Sequence, residues 1–503
     1  MSSPESTTRR IAVIGGGISG LAAAFRIAEL APQVELTLFE AGERLGGILG
    51  TIYDDGYLIE EAADNYLTDP PAVLRLAERL GIRESLIGTE PSQRRAYVLH
   101  NGCLHPVPAG FTLMAPSQLW PILTSPLLSL RGRLRLACER FVPRRGDDEP
   151  EESLAEFAIR RLGREAFERL VEPLVAGIYS ADATKLSIAA TLPRFVEMER
   201  RYGSLTRGAM AAARARRQSS VESGARYGIF VTPRDGAASL VETIASRLPP
   251  GCVQLNSRVE KLAHAGGAWE LSCQAAGEAR TASYDAVILA TPAPTAAMLL
   301  EATDVAVAGL LGQIPHAGCA IVCLGLRRDQ LARLPEGFGV VVPRTEGRPI
   351  LAVSFASNKF PARAPDDALL VRVFIGGALN EAALEQSDAG LELVARTQLD
   401  ELYGVRGEPQ IARVVRWPGS MPQYHVGHGR LIEEIETRVA RHEGLELANN
   451  ALRGVGVPQC IAEGERAAEA VLAHLGQYDR DAAGAAASAT STAATEHEAV
   501  PEK

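Results

Sequence analysis

Residues 11 to 20 read Ile-Ala-Val-Ile-Gly-Gly-Gly-Ile-Ser-Gly, and a carboxylate, Glu40, follows twenty residues after Gly20. An apolar stretch, Ile11 to Ile14, predicts a strand. A helix is expected from Leu21 to Leu30, and a second apolar strand from Val34 to Phe39 ends on Glu40. Few folds accommodate this order. Gly15 permits a tight turn, Gly17 lets the backbone approach a pyrophosphate, and Gly20 lets the helix pack closely on the strand. The free N–H groups at the helix start then face phosphates, and Glu40 can accept hydrogen bonds from a ribose. The spacing points to a doubly wound α/β dinucleotide-binding domain.

The 503 residues predict several domains. With 46% hydrophobic and 22% charged residues, the chain reads as globular with a large core. Its net charge of −9 comes without a basic block, which argues against nucleic-acid binding. The seven cysteines are scattered and odd in number, without zinc-like spacing. They read as reduced thiols, so no metal site is expected and a cytoplasmic location is. No secretory signal precedes the first strand, and no uninterrupted apolar run of 18 residues predicts a membrane span. Residues 107 to 131 combine Phe111, Met114, Trp120, Leu127 and Leu128, with Arg131, Arg133, Arg135 and Arg140 after them. This stretch reads first as core or as the wall of an apolar tunnel. A peripheral contact with a membrane surface is the alternative. Residues 151 to 176 carry helical periodicity.

Glu43-Arg44-Leu45-Gly46-Gly47, Gly56-Tyr57-Leu58-Ile59-Glu60 and Ala63-Asp64-Asn65 follow the ribose carboxylate. This run resembles the FAD-binding amine oxidase and porphyrinogen oxidase superfamily, so FAD is expected rather than NAD. Three further segments narrow the resemblance. Glu172-Pro173-Leu174-Val175-Ala176-Gly177-Ile178-Tyr179-Ser180-Ala181-Asp182 is the first. Arg416-Trp417-Pro418-Gly419-Ser420-Met421-Pro422-Gln423-Tyr424-His425-Val426-Gly427-His428 is the second, and Gly454-Val455-Gly456-Val457-Pro458-Gln459-Cys460-Ile461 the third. Together they resemble the oxygen-dependent porphyrinogen oxidases of heme biosynthesis.

That resemblance implies a discontinuous Rossmann-like FAD domain (9–90, 226–300, 425–477), a helical and substrate-side insert (91–225) and a substrate-binding domain (301–424). Residues 1–8 and the Ala/Ser/Thr-rich 478–503 are expected to be disordered. It places non-covalent FAD against Gly15, Gly16, Gly17, Ile18, Ser19 and Gly20 at the pyrophosphate, and against Glu40 and Ala41 at the ribose. Arg44 and Ile48 would flank the phosphates and flavin side. Ala62, Ala63, Asp64 and Asn65 would lie along the ribityl and ring, and Val259 would meet the adenine. Asn450, Val455, Gly456 and Val457 would meet the isoalloxazine, where a helix after Pro458 would turn its positive end to a reduced flavin. Val341, Ser354 and Phe374 are implied on one substrate wall, with Ile178, Tyr179 and Ala181 opposite. The family's propionate-binding arginine falls on Ala96, with Arg95 one residue off, and Lys359 is the substitute anchor. Gln459 stands where relatives carry Asp, and Asn449 where they carry Gly; Ala181 replaces a glycine.

The implied reaction is six-electron oxidation of coproporphyrinogen III, or alternatively protoporphyrinogen IX, with three O2 reduced to three H2O2. The flavin does the chemistry, so no side chain is assigned as catalytic, and His425 and His428 are expected to be structural. A hand-off of product to a metal chelatase is the further partner. An amine oxidase or desaturase on the same scaffold, and a flavin-binding protein without catalysis, are the remaining readings.

Overall fold

The computed structural model describes residues 8–146, 148–218, 229–275 and 278–478. The expected disorder at 1–7 and 479–503 lies outside the described residues.

The first apolar run forms the strand Arg10–Ile14, flanked by Glu35–Phe39 and Ala286–Leu289. Val253–Gln254 and Leu445–Leu447 complete a five-stranded, all-parallel sheet. Ranked by position in the chain, the strands stand in the order 3-2-1-4-5 of a doubly wound dinucleotide fold. The sheet is therefore assembled from stretches far apart in the chain. The helix Ile18–Leu30 starts three residues before the expected Leu21 and covers one face. The helix Val457–His474 crosses it there. A Cβ on Gly464 would overlap the carbonyl oxygen of Ser19, so this crossing needs glycine.

A second sheet of seven strands runs in the order Ile411–Pro422, His316–Arg327, Ala368–Gly376, Ile350–Phe355, Gly339–Val341, Ala96–His100, Cys103–Pro106. All neighbours are antiparallel except Gly339–Val341 with Ala96–His100. The last two strands come from the stretch expected as a helical or substrate-side insert. Residues 96–106 are a hairpin that extends the substrate-side sheet. Its turn is Asn101-Gly102, both at positive φ (51° and 71°), the left-handed pair that a two-residue hairpin needs. The rest of that stretch is mostly helical, including Leu154–Leu162, Glu172–Tyr179 and Pro193–Tyr202 around one apolar core.

The 107–140 stretch divides. Phe111, Met114, Ile122, Leu127, Leu128 and Leu136 are buried in that core. Trp120, Leu130, Leu134 and Phe141 are left largely exposed, Trp120 at 75%. Among the described residues, no helix is long and apolar enough to cross a membrane.

Candidate functional site: a dinucleotide cleft facing a sheet wall

Three glycines of the turn differ in what requires them. Gly15 sits at φ 108°, and its Cβ would lie 2.7 Å from the carbonyl oxygen of Ala290. A Cβ on Gly20 would overlap the carbonyl oxygen of Gly15. Gly17 has ordinary extended backbone (φ −69°, ψ 176°), and a Cβ there would meet nothing within 4 Å. Neither conformation nor packing calls for glycine at 17, so the open space beside it is what the residue preserves. No side chain caps the Ile18–Leu30 helix and no acid stands in its first turn, so its N–H groups remain available to an anion. The turn fits a dinucleotide pyrophosphate.

Glu40 accepts the amides of Gly16 (2.8 Å) and Gly42 (2.7 Å), which fixes its carboxylate beside the turn with lone pairs left for a ribose. Gly46 donates to the carbonyl of Gly16 at 2.8 Å, so the Glu43–Gly47 run closes on the phosphate turn. Arg44 reaches the carbonyl of Leu49 at 3.0 Å and Glu61 at 2.9 Å. Ala41 and Ile48 are exposed along the same edge, and Val259 is buried.

The segment from Glu61 to Asn65 joins the two domains. Trp417 Nε1 donates to the carbonyl of Glu61 at 2.8 Å. Arg372 donates to the carbonyl of Ala62 and lies 3.1 Å from Asp64 Oδ2. Lys359 Nζ stands 3.0 and 3.3 Å from the two oxygens of Asp64. These two cations hold the Asp64 carboxyl well below its usual range against the opposing effect of burial. The position assigned to Lys359 therefore needs correction. The lysine is neither a free anchor nor a solvated surface group, because a buried carboxylate already holds it. Sequence reasoning did not single out Arg372. Its signal is the one charged residue inside the apolar strand Ala-Leu-Leu-Val-Arg-Val-Phe-Ile-Gly.

The loop before the last helix is held from below. Tyr424 donates to the carbonyl of Asn450 and accepts the amide of Gly454 at 2.8 Å. Its ring stacks on His428 with centroids 4.1 Å apart, and His428 Nε2 lies 3.2 Å from the carbonyl oxygen of Leu452. Burial lowers the pKa of His428, which favours its neutral form. Asn449 is not left-handed. Its Oδ1 accepts the amide of Ala451 at 3.0 Å, an Asx turn in place of the expected glycine-like backbone. Gly454 and Gly456 make room for Gln459, whose Cγ and Oε1 would each lie 2.5 Å from a Cβ added at those positions. The glycines thus serve packing within the turn, beyond any approach to a ring. Val455 and Gly456 stay partly open, and the Val457–His474 helix begins with neither a side-chain cap nor an acid in its first turn.

On the seven-stranded sheet, Val341 is registered with Ala352, and Ala352 with Phe374. Ser354, two residues beyond Ala352, shares their face. The three expected wall residues therefore look the same way. The Oγ of Ser354 is buried with no hydrogen-bond partner among the described residues. The Glu172–Tyr179 helix approaches this face, with Val341 3.6 Å from a Cβ built on Gly177. Ile178 is half exposed, Tyr179 donates to the carbonyl of Thr191 at 3.3 Å, and Ala181 is buried. The left-handed residue of this turn is Ser180 (φ 50°), so Ala181 is tolerated. Ala96 is half-buried and Arg95 is exposed.

The family model for flavin containing amine oxidoreductases matches residues 18–472. The chain is 34% identical over 472 residues to the coproporphyrinogen III oxidase of Bacillus subtilis (strain 168), covering 93% of this chain and 98% of that protein. It is 30% identical to protoporphyrinogen oxidase 2 of Arabidopsis thaliana, covering 94% and 96%. A crystal structure from Exiguobacterium sp. 255-15, provisionally assigned as a protoporphyrinogen oxidase, superposes with a TM-score of 0.80 at 30% identity, covering 92% of this chain and 99% of that one. The dinucleotide turn, the open helix N-termini and the full-length match agree: the chain belongs to the flavin-containing amine oxidoreductase family and is an FAD-dependent oxidoreductase.

Proposed function

We propose that this enzyme oxidises coproporphyrinogen III to coproporphyrin III in heme biosynthesis. The observation that carries the reading is the near full-length 34% identity to a coproporphyrinogen III oxidase. The sheet face built by Val341, Phe374 and Ser354, with Arg372 in register with Ser354, supports it, since a largely apolar wall with few polar groups suits a tetrapyrrole. FAD, when bound, takes two electrons per cycle and passes them to O2, so three cycles remove six electrons and yield three H2O2.

The chain's residues hold the reactants. Gly15 to Gly20 and Glu40 seat the nucleotide, with Ala41, Arg44, Ile48 and Val259 around it. Ala62 to Asn65 and Asn450 with Val455 to Val457 border the ring. Ile178, Tyr179 and Ala181 face the sheet wall across the substrate and help exclude water. No side chain needs to act as nucleophile or base.

Protoporphyrinogen IX is the second reading, favoured by the plant relative at 30% identity. Anaerobic mixing of the purified yellow protein with each porphyrinogen separates the two. Coproporphyrinogen III should bleach the flavin faster, and admitting air should release porphyrin fluorescence. Bleaching by neither would refute the activity. A cytoplasmic location, peripheral contact of the Trp120–Phe141 surface with a membrane and transfer of product to a metal-inserting enzyme belong to the same reading. Co-sedimentation with anionic vesicles tests the contact.

A further inference from the structure

The Glu61–Asn65 segment lies over a buried group of charges that no structural pairing balances. Asp64 and Glu60 are its carboxylates, at 7% and 2% exposure. Lys359, Arg372 and Arg363 are its cations, and both arginines are 1% exposed. Arg363 spends its donors on the carbonyls of Pro233 and Arg234, at 2.8 and 2.7 Å. Glu60 accepts the amide of Ala237 at 3.1 Å and the hydroxyl of Thr51 at 2.9 Å. Among the described residues three cations thus face two carboxylates, and the Nε of Arg372 has no hydrogen-bond partner. Away from water an uncompensated charge is costly, and an anion brought beside it recovers the cost. The same Arg372 holds the carbonyl of Ala62, so the excess charge stands directly behind the Glu61–Asn65 segment.

We propose that the Lys359–Asp64–Arg372 cluster stabilises the negative charge that two-electron reduction places on bound FAD, and thereby strengthens FAD as an oxidant of the substrate. This rests on the reading that Ala62 to Asn65 border the flavin ring. The cluster makes and breaks no bond. Its single excess charge favours the reduced, anionic state of the cofactor over the neutral oxidised one. Lys359 and Asp64 act on that balance with opposite signs: removing the ammonium makes the group neutral, and removing the carboxylate leaves it more positive. A purely structural ion pair lacks this property, because loss of either partner breaks the same contact.

The test is the midpoint potential of the purified holoenzyme, titrated against reference dyes, with visible flavin spectra recorded alongside. Lys359→Met should make two-electron reduction about tenfold less favourable, a fall of roughly 30 mV. Asp64→Asn should shift the potential upward by a comparable amount. Shifts of the same sign, or none while the flavin bands move, would overturn the proposal. Bands and potentials unchanged in both variants, with full flavin content, would overturn it by showing that the loop does not border the ring. An unmoved potential with a raised KM for the porphyrinogen would assign the excess charge to a substrate carboxylate instead.

Discussion

Replacing Gly17 with Val separates binding from folding at one atom. The backbone there is extended, and a Cβ would meet nothing within 4 Å. The fold should therefore accept valine with a change in stability of about 0.5 kcal/mol, the ordinary range for a site without packing constraints. FAD has no such freedom, because the added isopropyl group takes the space in which a pyrophosphate reaches the first amides of the Ile18–Leu30 helix. Each hydrogen bond to a charged group contributes about 1.5–3 kcal/mol. Losing two costs about 3–6 kcal/mol, or roughly a hundredfold to ten-thousandfold in Kd. The assay pairs FAD titration of the apoprotein with its thermal midpoint. Gly20→Val is the contrast, since its side chain would strike the carbonyl of Gly15 and should lower the midpoint as well. A Gly17→Val protein that purifies with full flavin, or whose apoprotein melts as low as Gly20→Val, would refute the reasoning.

Ser354→Ala should leave stability unchanged or slightly raised, since a buried unpartnered hydroxyl is lost. Its KM for the porphyrinogen should rise about two- to tenfold, the worth of one hydrogen bond, as steady-state kinetics would show. Burial lowers the pKa of His316, His425 and His428. In the unfolded chain these imidazoles take up protons near pH 6.5, and in the folded one only at lower pH. Stability should thus be complete above about pH 7 and fall as the pH drops through 6.5, with His428→Gln flattening that slope in thermal melts. Acid precipitation should release all yellow colour to the supernatant; flavin retained in the pellet would contradict non-covalent binding.

Residues 11 to 40 were legible because their signals are local: a continuous apolar run, a glycine turn, a helix and a second strand. The hairpin at 96–106 carried its own local mark in Asn101-Gly102, yet its membership in the far sheet depends on pairing with Gly339–Val341. Lys359 and Arg372 were harder to place for the same reason. Their partner Asp64 stands about 300 residues away in sequence, and only folding shows that a buried carboxylate holds both cations. Asn449 could be read as a departure from glycine, but not as the Asx turn that replaces it, because that depends on its rotamer. Packing of Gln459 into the glycines at 454 and 456 was hidden likewise.

The parallel nucleotide sheet takes its last strand from Leu445–Leu447, and the first helix gains its last partner when Gly464 arrives against Ser19. About 430 residues of synthesis separate Ile14 from that strand. At 5–20 residues per second, the amino-terminal strand and helix wait roughly 20–90 s for these last partners. A ribosome stalled anywhere before residue 445 therefore carries a nascent protein that cannot complete this sheet. For this enzyme, folding helpers that shield the early helix should limit the yield of yellow protein more than the supply of FAD does.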